Sequence, residues 1–274
     1  MTGGLSVLIP ASNEAAYIGP CLRALLASEP TGGAVEGIVI ANGCTDDTAA
    51  QARALAPDFA ARGWRLQVLE LAQGDKIAAL NAGDAAARLA QRAYLDADVR
   101  VDPPLLAQLV AVLSHGAAPR YASGTPRIAP ARSALTRAYA RVWARVPFNR
   151  TAAPGYGLFA VNAAGRARWD AFPRIISDDT FVRLHFAPHE RVQVPAGYVW
   201  PMVEGVRALV RVRRRQDQGV AEIARRFPEL LRNDDKPRAA LLPLLRADPV
   251  GFAVYAGVAM AVRLGRGQGW ARGR

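Results

Sequence analysis

The sequence predicts an α/β protein: a doubly wound, mostly parallel sheet flanked by helices, followed by a basic helical C-terminal extension. Three observations carry this. Short apolar runs alternate with helically spaced apolar residues over the first two thirds of the chain, the β-α-β-α rhythm of parallel sheets. The 274 residues are 51% hydrophobic and 21% charged, ordinary globular usage that excludes disorder and coiled coil. The net charge of +12 is uneven: residues 205–274 hold 14 Arg and one Lys against six acids, a net of +9, which leaves +3 for the rest.

The elements follow in order. Leu5-Ser6-Val7-Leu8-Ile9 reads as a buried strand ended by Pro10. Ile18, Leu22, Leu25 and Leu26 then fall at helical spacing, and Gly37 to Ala41 is a second strand. Thr45 can cap the next helix, whose positive first turn suits Asp46 and Asp47. Arg65 to Glu70 alternates as a third strand, Lys76 to Ala90 is an Ala-rich helix, and Ala93-Tyr94-Leu95 is a fourth strand running into Asp96-Ala97-Asp98. Pro103 and Pro104 open a helix that continues to about Ser114. After Tyr121 the pattern loosens. A helix is expected over Ala131 to Arg145, a loop entering a strand over Gly155 to Val161, and a further helix after Ile175-Ile176-Ser177-Asp178-Asp179. Val206 to Phe227 is a basic helix. Pro249 to Leu264 is an apolar one, flanked by Arg263, Arg266 and Arg272.

Several classes are excluded or disfavoured. Cys21 and Cys44 cannot build a disulfide framework or a four-cysteine zinc site, so a reducing compartment is the default. No apolar run reaches the roughly 18–20 residues of a membrane span, and Met1-Thr2-Gly3-Gly4 carries no secretory pattern. The expected location is cytoplasmic. The basic C-terminal region suggests an anionic partner, and no aromatic-interleaved basic strand or recognition helix points to nucleic acid. The apolar helix with its arginines fits peripheral contact with an anionic membrane at its inner face; packing on the protein's own core or a homodimer contact fits equally.

Chemistry gathers at the strand ends. Two carboxylates at i and i+2, Asp96 and Asp98, can converge on one divalent cation; oxygen-only ligation suits Mg²⁺ or Mn²⁺, which suits a diphosphate. Alone, such a pair reads more readily as a solvated turn or a helix N-cap before Pro103. It does not stand alone. Pro10-Ala11-Ser12-Asn13-Glu14 follows the first strand, Asn42-Gly43-Cys44-Thr45-Asp46-Asp47-Thr48 the second, and Gly74-Asp75-Lys76-Ile77-Ala78-Ala79-Leu80-Asn81-Ala82-Gly83 precedes the fourth.

This ordered set resembles the donor-binding half of glycosyltransferase family 2, nucleotide-sugar-dependent enzymes of GT-A fold. The resemblance implies a GT-A catalytic domain over residues 1–204, with a donor half at 1–102 and an acceptor half at 103–204, and a C-terminal extension over 205–274. It implies a nucleotide-sugar site that includes Pro10, Ser12 and Glu14, the last facing the nucleoside. Asn42 stands where the family commonly has a base-facing Asp. Lys76 would neutralise phosphate or orient the base, although the segment reads Gly-Asp-Lys where the family has Gly-Lys. Asn81 would support the metal loop. Asp96 would hold ribose or metal, and Asp98 the metal directly. Asp46 and Asp47 read as helix caps.

In the second half, Asp178-Asp179 resembles the family's acidic pair, whose second member is the general base; this maps the base to Asp179. Gly155-Tyr156-Gly157 resembles the segment lining the sugar pocket. Processive relatives carry Q-x-x-R-W on a late helix; here Arg211, Arg213, Arg214 and Arg215 precede Gln216 without a tryptophan, which implies transfer of a single sugar, with Arg214 meeting the pyrophosphate. His185 stands where some branches add a metal ligand. The implied activity is inverting transfer from a nucleotide-diphosphate donor, UDP-sugars being the commonest, to a saccharide or lipid-linked acceptor in cell-surface polysaccharide or glycolipid synthesis. A nucleotidyltransferase is the enzymatic alternative, disfavoured because no Gly-rich basic loop follows the first strand. A non-enzymatic basic module binding membrane or nucleic acid is the other.

Overall fold

Both faces of the first strand are apolar, and that decides where it sits. The computed structural model describes residues 3–237 and 240–265. Its first half runs β1 (Leu5–Ala11), α1 (Ala15–Leu26), β2 (Val35–Asn42), α2 (Thr48–Ala54), α3 (Ala56–Ala61), β3 (Arg65–Leu71), α4 (Lys76–Ala86) and β4 (Gln91–Leu95). β1 lies between β2 and β4 and is parallel to both, and β3 extends the sheet parallel to β2. Leu5, Val7 and Ile9 point into one core with Ile18, Leu22 and Leu25 of α1; Leu8 points into the other with Ile77 and Leu80 of α4. Strands covered on both faces need no polar alternation, which is why β1 reads as a continuous apolar run.

The second half is mixed. It continues with β5 (Arg100–Val101), α5 (Leu105–Leu113), β6 (Tyr121–Ile128), α6 (Ala134–Trp143), β7 (Leu158–Val161), α7 (Ala163–Arg166), α8 (Asp178–Leu184) and β8 (Arg191–Trp200). The strand order is β3-β2-β1-β4-β7-β6-β8-β5. β7 is antiparallel to β4 and β6, β8 is parallel to β6, and β5 is antiparallel to β8. The loosened pattern after Tyr121 thus conceals two long strands. Gly124 and Pro126 in β6, and Pro195 and Gly197 in β8, read as breakers; the structure accommodates them by a register shift between Ser123 and Thr125. The α4 helix stops at Ala86, before the Ala-rich pattern ends, and α6 is trimmed to a start capped by the Ser133 hydroxyl.

The C-terminal extension consists of α9 (Val206–Arg226), α10 (Leu241–Ala247) and α11 (Pro249–Leu264). It is packed against the sheet domain. Ile223 of α9 enters the second core. Beyond α9, Asp235 accepts from two buried arginines, Arg183 of α8 at 2.8 Å and Arg191 of β8 at 2.7 Å. α11 packs on α6 and α9, and Val258 joins Tyr139, Trp143, Met202 and Leu209 in a third cluster. Arg266 and Arg272 lie outside the described residues.

One close approach is decisive for β6. The Tyr121 hydroxyl is fully buried without a hydrogen-bond partner and fills the space that a Cβ on Gly155 would need. Gly155 also holds φ at +78°. Gly155→Ala is expected to cost about 2–4 kcal/mol in urea unfolding, from overpacking and left-handed strain together. Tyr121→Phe alone is expected to leave stability unchanged or raise it, because it removes an unsatisfied group, and to recover part of the Gly155→Ala loss when combined with it.

Candidate active site

β1 leads to β2 and β3 on one side and β4 lies on the other, so the sheet changes direction between β1 and β4. Ligands of such sheets bind beyond the carboxyl ends of the strands at that point. A cleft of ≈ 280 Å³ opens there. Pro10, Ser12 and Glu14 after β1, Asn42 at the end of β2, Lys76 at the start of α4, and Asp96 and Asp98 after β4 all line it. Sequence reasoning named all seven. The opposite wall is Trp200, Pro201 and Val203 after β8 with Val212, Arg215 and Gln216 of α9. Arg215 stood in the arginine run that sequence reasoning named; the apolar and aromatic residues of this wall were missed, although a Trp-Pro step closing an apolar-aromatic alternation was a readable signal.

The loops are knitted together by short polar side chains. Asn13, at φ +56°, accepts from the Thr45 N–H at 2.8 Å, so Thr45 ties two loops and does not cap a helix. Asp46 accepts from Ala15 N–H at 3.1 Å and from Thr48 N–H at 3.1 Å. Its slight burial opposes ionisation, but these bonds and the Thr48 hydroxyl hold its pKa below the ordinary aspartate value. The Asn42 amide donates to the carbonyls of Ala11 at 2.9 Å and Ile40 at 3.2 Å, which locks β2 to β1 at the cleft floor. The departure from Gly-Lys has a local reason. Asp75 is the N-cap of α4, accepting from Ile77 and Ala78, which puts Lys76 at the first helical position.

Lys76 joins two acidic groups. Its Nζ lies 3.3 Å from Asp96 Oδ1 and 3.2 Å from Asp178 Oδ2. Burial would lower its pKa, but the Asp178, Asp96 and Asp179 carboxylates override that and hold the ammonium above the ordinary lysine range. Behind it, a small cavity of ≈ 20 Å³ is bounded by Lys76, Asp96, Gly155, Gly157, Asp178 and Asp179, room for about one water-sized group. Asp178 and Asp179 form the first turn of α8. Burial, then the adjacent Asp178 charge, pushes the Asp179 carboxyl up to about 6 against the opposing Lys76 ammonium and Thr180 N–H. The Asp96 N–H donates to Gly157 O at 2.9 Å, tying the glycine segment to the acidic turn. A Cβ on Gly157 would strike the Trp200 ring. A third cavity of ≈ 440 Å³ adjoins on the far side of Lys76, lined by Asp75, Arg174, Ile176, Asp178, Arg215 and Glu222 among others.

Four sequence expectations are corrected by position. His185 is not at the cleft: its Nδ1 lies 2.8 Å from Phe181 O and its ring packs on Phe181 and Trp169, where burial lowers its pKa. Among the described residues, no group of three His, Cys, Asp or Glu side chains is preassembled for a metal. Arg214 turns toward Gly265 at the end of α11, and Arg215 lines both larger cavities in its place. On a helix, a one-residue shift moves a side chain by about 100°. Asn81 does not support the Asp96 turn; it exchanges hydrogen bonds with the Phe172 backbone at 3.0 and 2.7 Å, which positions the segment leading to Asp178. Tyr156 packs edge-on against Trp143 and Trp200 and bounds neither the 20 Å³ nor the 280 Å³ cavity, so it supports the pocket wall while its glycine neighbours line the pocket.

Comparison with known proteins follows the same outline. A sequence model described as glycosyl transferase family 2 matches residues 6–165. No curated protein matches the chain. Among solved structures, the mannosyltransferase PcManGT from Pyrobaculum calidifontis in complex with GDP-Man and Mn²⁺ aligns with a TM-score of 0.60 at 21% identity, over 95% of this chain and 75% of that one. TarS 1–349 of S. aureus in complex with UDP aligns at 0.56 and 16% identity, over 95% and 91%. Glucosyl-3-phosphoglycerate synthase from Mycobacterium tuberculosis in complex with Mg²⁺ and UDP aligns at 0.50 and 22% identity, over 82% and 79%. At these identities the likeness is one of fold.

The raised Asp179 pKa has a stability consequence. A carboxyl that binds its proton more tightly folded than unfolded loses stability as pH rises from the ordinary 3.8 through about 6. Asp179→Asn is therefore expected to stabilise the fold by about 1–3 kcal/mol at pH 7, with the gain vanishing near pH 4. Paired urea titrations of both proteins at the two pH values read this directly.

Proposed function

The chain belongs to glycosyl transferase family 2, and on that premise we propose that it is a metal-dependent, inverting transferase. It moves one sugar from a nucleotide-diphosphate donor, a UDP-sugar first among those to test, to an acceptor hydroxyl of a saccharide or lipid-linked saccharide. Cell-surface polysaccharide or glycolipid synthesis is the setting. In this reading residues 1–102 form the donor half, 103–204 the acceptor half and 205–274 the extension. The protein acts as a cytoplasmic enzyme at the inner membrane face.

The observation that carries the proposal is the Lys76 ammonium, held at once by Asp96 of the donor cleft and Asp178 of the acidic pair. It makes the cleft and the pair one site. The nucleoside lies against Glu14, Ser12 and Asn42, and the diphosphate lies between Asp96, Asp98 and Arg215. Asp96 and Asp98 are hard oxygen ligands of the kind Mg²⁺ and Mn²⁺ take, so the residues present fit such an ion and these two carboxylates would hold it. When bound, it supplies positive charge to the departing diphosphate. Lys76 adds its own charge beside Asp96. The sugar fits over Gly155 and Gly157, where the absence of side chains permits close approach. The acceptor enters from the ≈ 440 Å³ cavity, which reaches Asp178. Asp179 takes the hydroxyl proton as the oxygen attacks the anomeric carbon from the face opposite the leaving group, so configuration inverts. A carboxyl raised to about 6 is a stronger base than an ordinary aspartate and is still ionised at neutral pH.

Asp179→Asn is expected to lower turnover by about 10²–10⁴-fold while donor binding persists. The wild-type rate is expected to rise with pH through about 6, as the base ionises. Release of nucleoside diphosphate from a panel of UDP- and GDP-sugars measures both. Full turnover by Asp179→Asn would remove the base assignment.

A further inference from the structure

The helices α10 and α11 carry an apolar face that no other element covers among the described residues. On α11, Gly251, Val254, Tyr255 and Val258 face inward toward α6 and α9. The opposite face presents Val250, Met260 and Leu264, exposed at 69%, 59% and 75%, with Ala253 and Gly257 between them. Their spacing of three and four residues puts all five on one stripe. On α10, which packs on α11, Leu241, Leu242 and Leu245 are exposed as well. A monomer rarely leaves so many large apolar side chains together in water. No helix among the described residues is long and apolar enough to cross a membrane.

The charges around it identify what covers it. Residues 240–265 contain three charged side chains, Arg246, Asp248 and Arg263. Asp248 is turned inward, where it accepts from Gly251 N–H at 2.8 Å and pairs with Arg141 at 2.7 Å. The two that remain exposed are cationic. The nine residues after Gly265, which lie outside the described part, add three arginines and a tryptophan and no acid. A twofold contact between copies would bring such a face against itself and set arginine against arginine without a carboxylate to pair with. An anionic bilayer surface satisfies both features at once: apolar side chains enter the headgroup–acyl boundary and arginines meet lipid phosphates.

We propose that the exposed face of α10 and α11 is a monotopic docking surface for an anionic lipid bilayer, with Val250, Met260, Leu264 and Leu241 inserted and Arg246 and Arg263 at the headgroups. The face is one helix away from the donor cleft, because α9 supplies Val212, Arg215 and Gln216 to the cleft and packs against α11 through Arg213 and Tyr255. Docking there would hold the cleft close to the headgroup plane. This deepens the inner-membrane-face placement proposed above by naming the surface that docks, and it does not depend on the transferase chemistry.

Flotation of the full chain with vesicles tests the surface. The wild type is expected to float with vesicles of phosphatidylglycerol and phosphatidylcholine in equal parts, and far less with phosphatidylcholine alone. Met260→Asp with Leu264→Asp is expected to abolish flotation without changing the thermal melt or the shift produced by UDP and Mn²⁺. If that pair fails to fold, Val250→Asp at the exposed helix start takes its place. Arg246→Gln and Arg263→Gln are each expected to weaken binding about fivefold. Equal binding to both vesicle types, unchanged flotation of the variants, or absence of flotation with a concentration-dependent dimer that Met260→Asp and Leu264→Asp dissolve would each overturn the proposal. Loss of vesicle binding with nucleotide binding intact refutes the surface alone, and the reverse refutes the transferase reading alone.

Discussion

One lysine holds the site together. Asp96 follows a central parallel strand, and Asp178 and Asp179 open a helix more than eighty residues later; without a cation between them, like charges would be crowded at the edge of a small cavity. Lys76 supplies that cation from the first turn of α4, with Asp75 fixing where the helix starts. The arrangement is partly exposed at its outer end, since the Lys76 side chain is 42% accessible, and closed at its inner end, where Asp178 is buried. Solvent therefore screens the Asp96 contact more than the Asp178 contact. A ligand that competes for the ammonium can loosen the outer pair while the inner one persists.

The cleft depends on long-range assembly as much as on the strand ends. Its floor comes from β1, β2 and β4, but its roof comes from Trp200 to Val203 and from α9. Those parts are anchored by contacts that reach across the chain. Asn81 holds the Phe172 backbone, Gly219 of α9 lies against Ser177 at the start of α8, and Asp235 gathers Arg183 and Arg191. The acidic pair is thereby fixed from three directions, and it is held where burial and the adjacent Asp178 charge raise the Asp179 carboxyl.

How much was legible follows the range of the interactions. The parallel half was readable because buried strands and their helices announce themselves locally, and Pro10, Ser12, Glu14, Asn42, Lys76, Asp96 and Asp98 all meet in one cleft as their positions after strands imply. The second half was not, because β6 and β8 carry Gly and Pro that local rules read as turns, and only their pairing with each other overrides this. Arg214 was chosen over Arg215 because a run of arginines does not reveal which one faces inward; packing against α11 decides it. His185 was offered as a metal ligand only through the family resemblance, yet it caps α8 and turns into an aromatic cluster. The apolar helix α11 was read as lying on an anionic membrane or as packed on the core or on a second copy; one of its faces packs on α6 and α9 and the other is exposed.

In the proposed reaction, Asp96 and Asp98 grip a cation that in turn grips a diphosphate, and every other role follows from that. Calorimetric titration of UDP into the wild type and Asp98→Asn, each with and without Mn²⁺, addresses it most directly. Binding by the wild type is expected to strengthen at least tenfold with Mn²⁺, and Asp98→Asn to lose that enhancement. Uptake of UDP that is indifferent to the metal, or an enhancement that survives in Asp98→Asn, would contradict it.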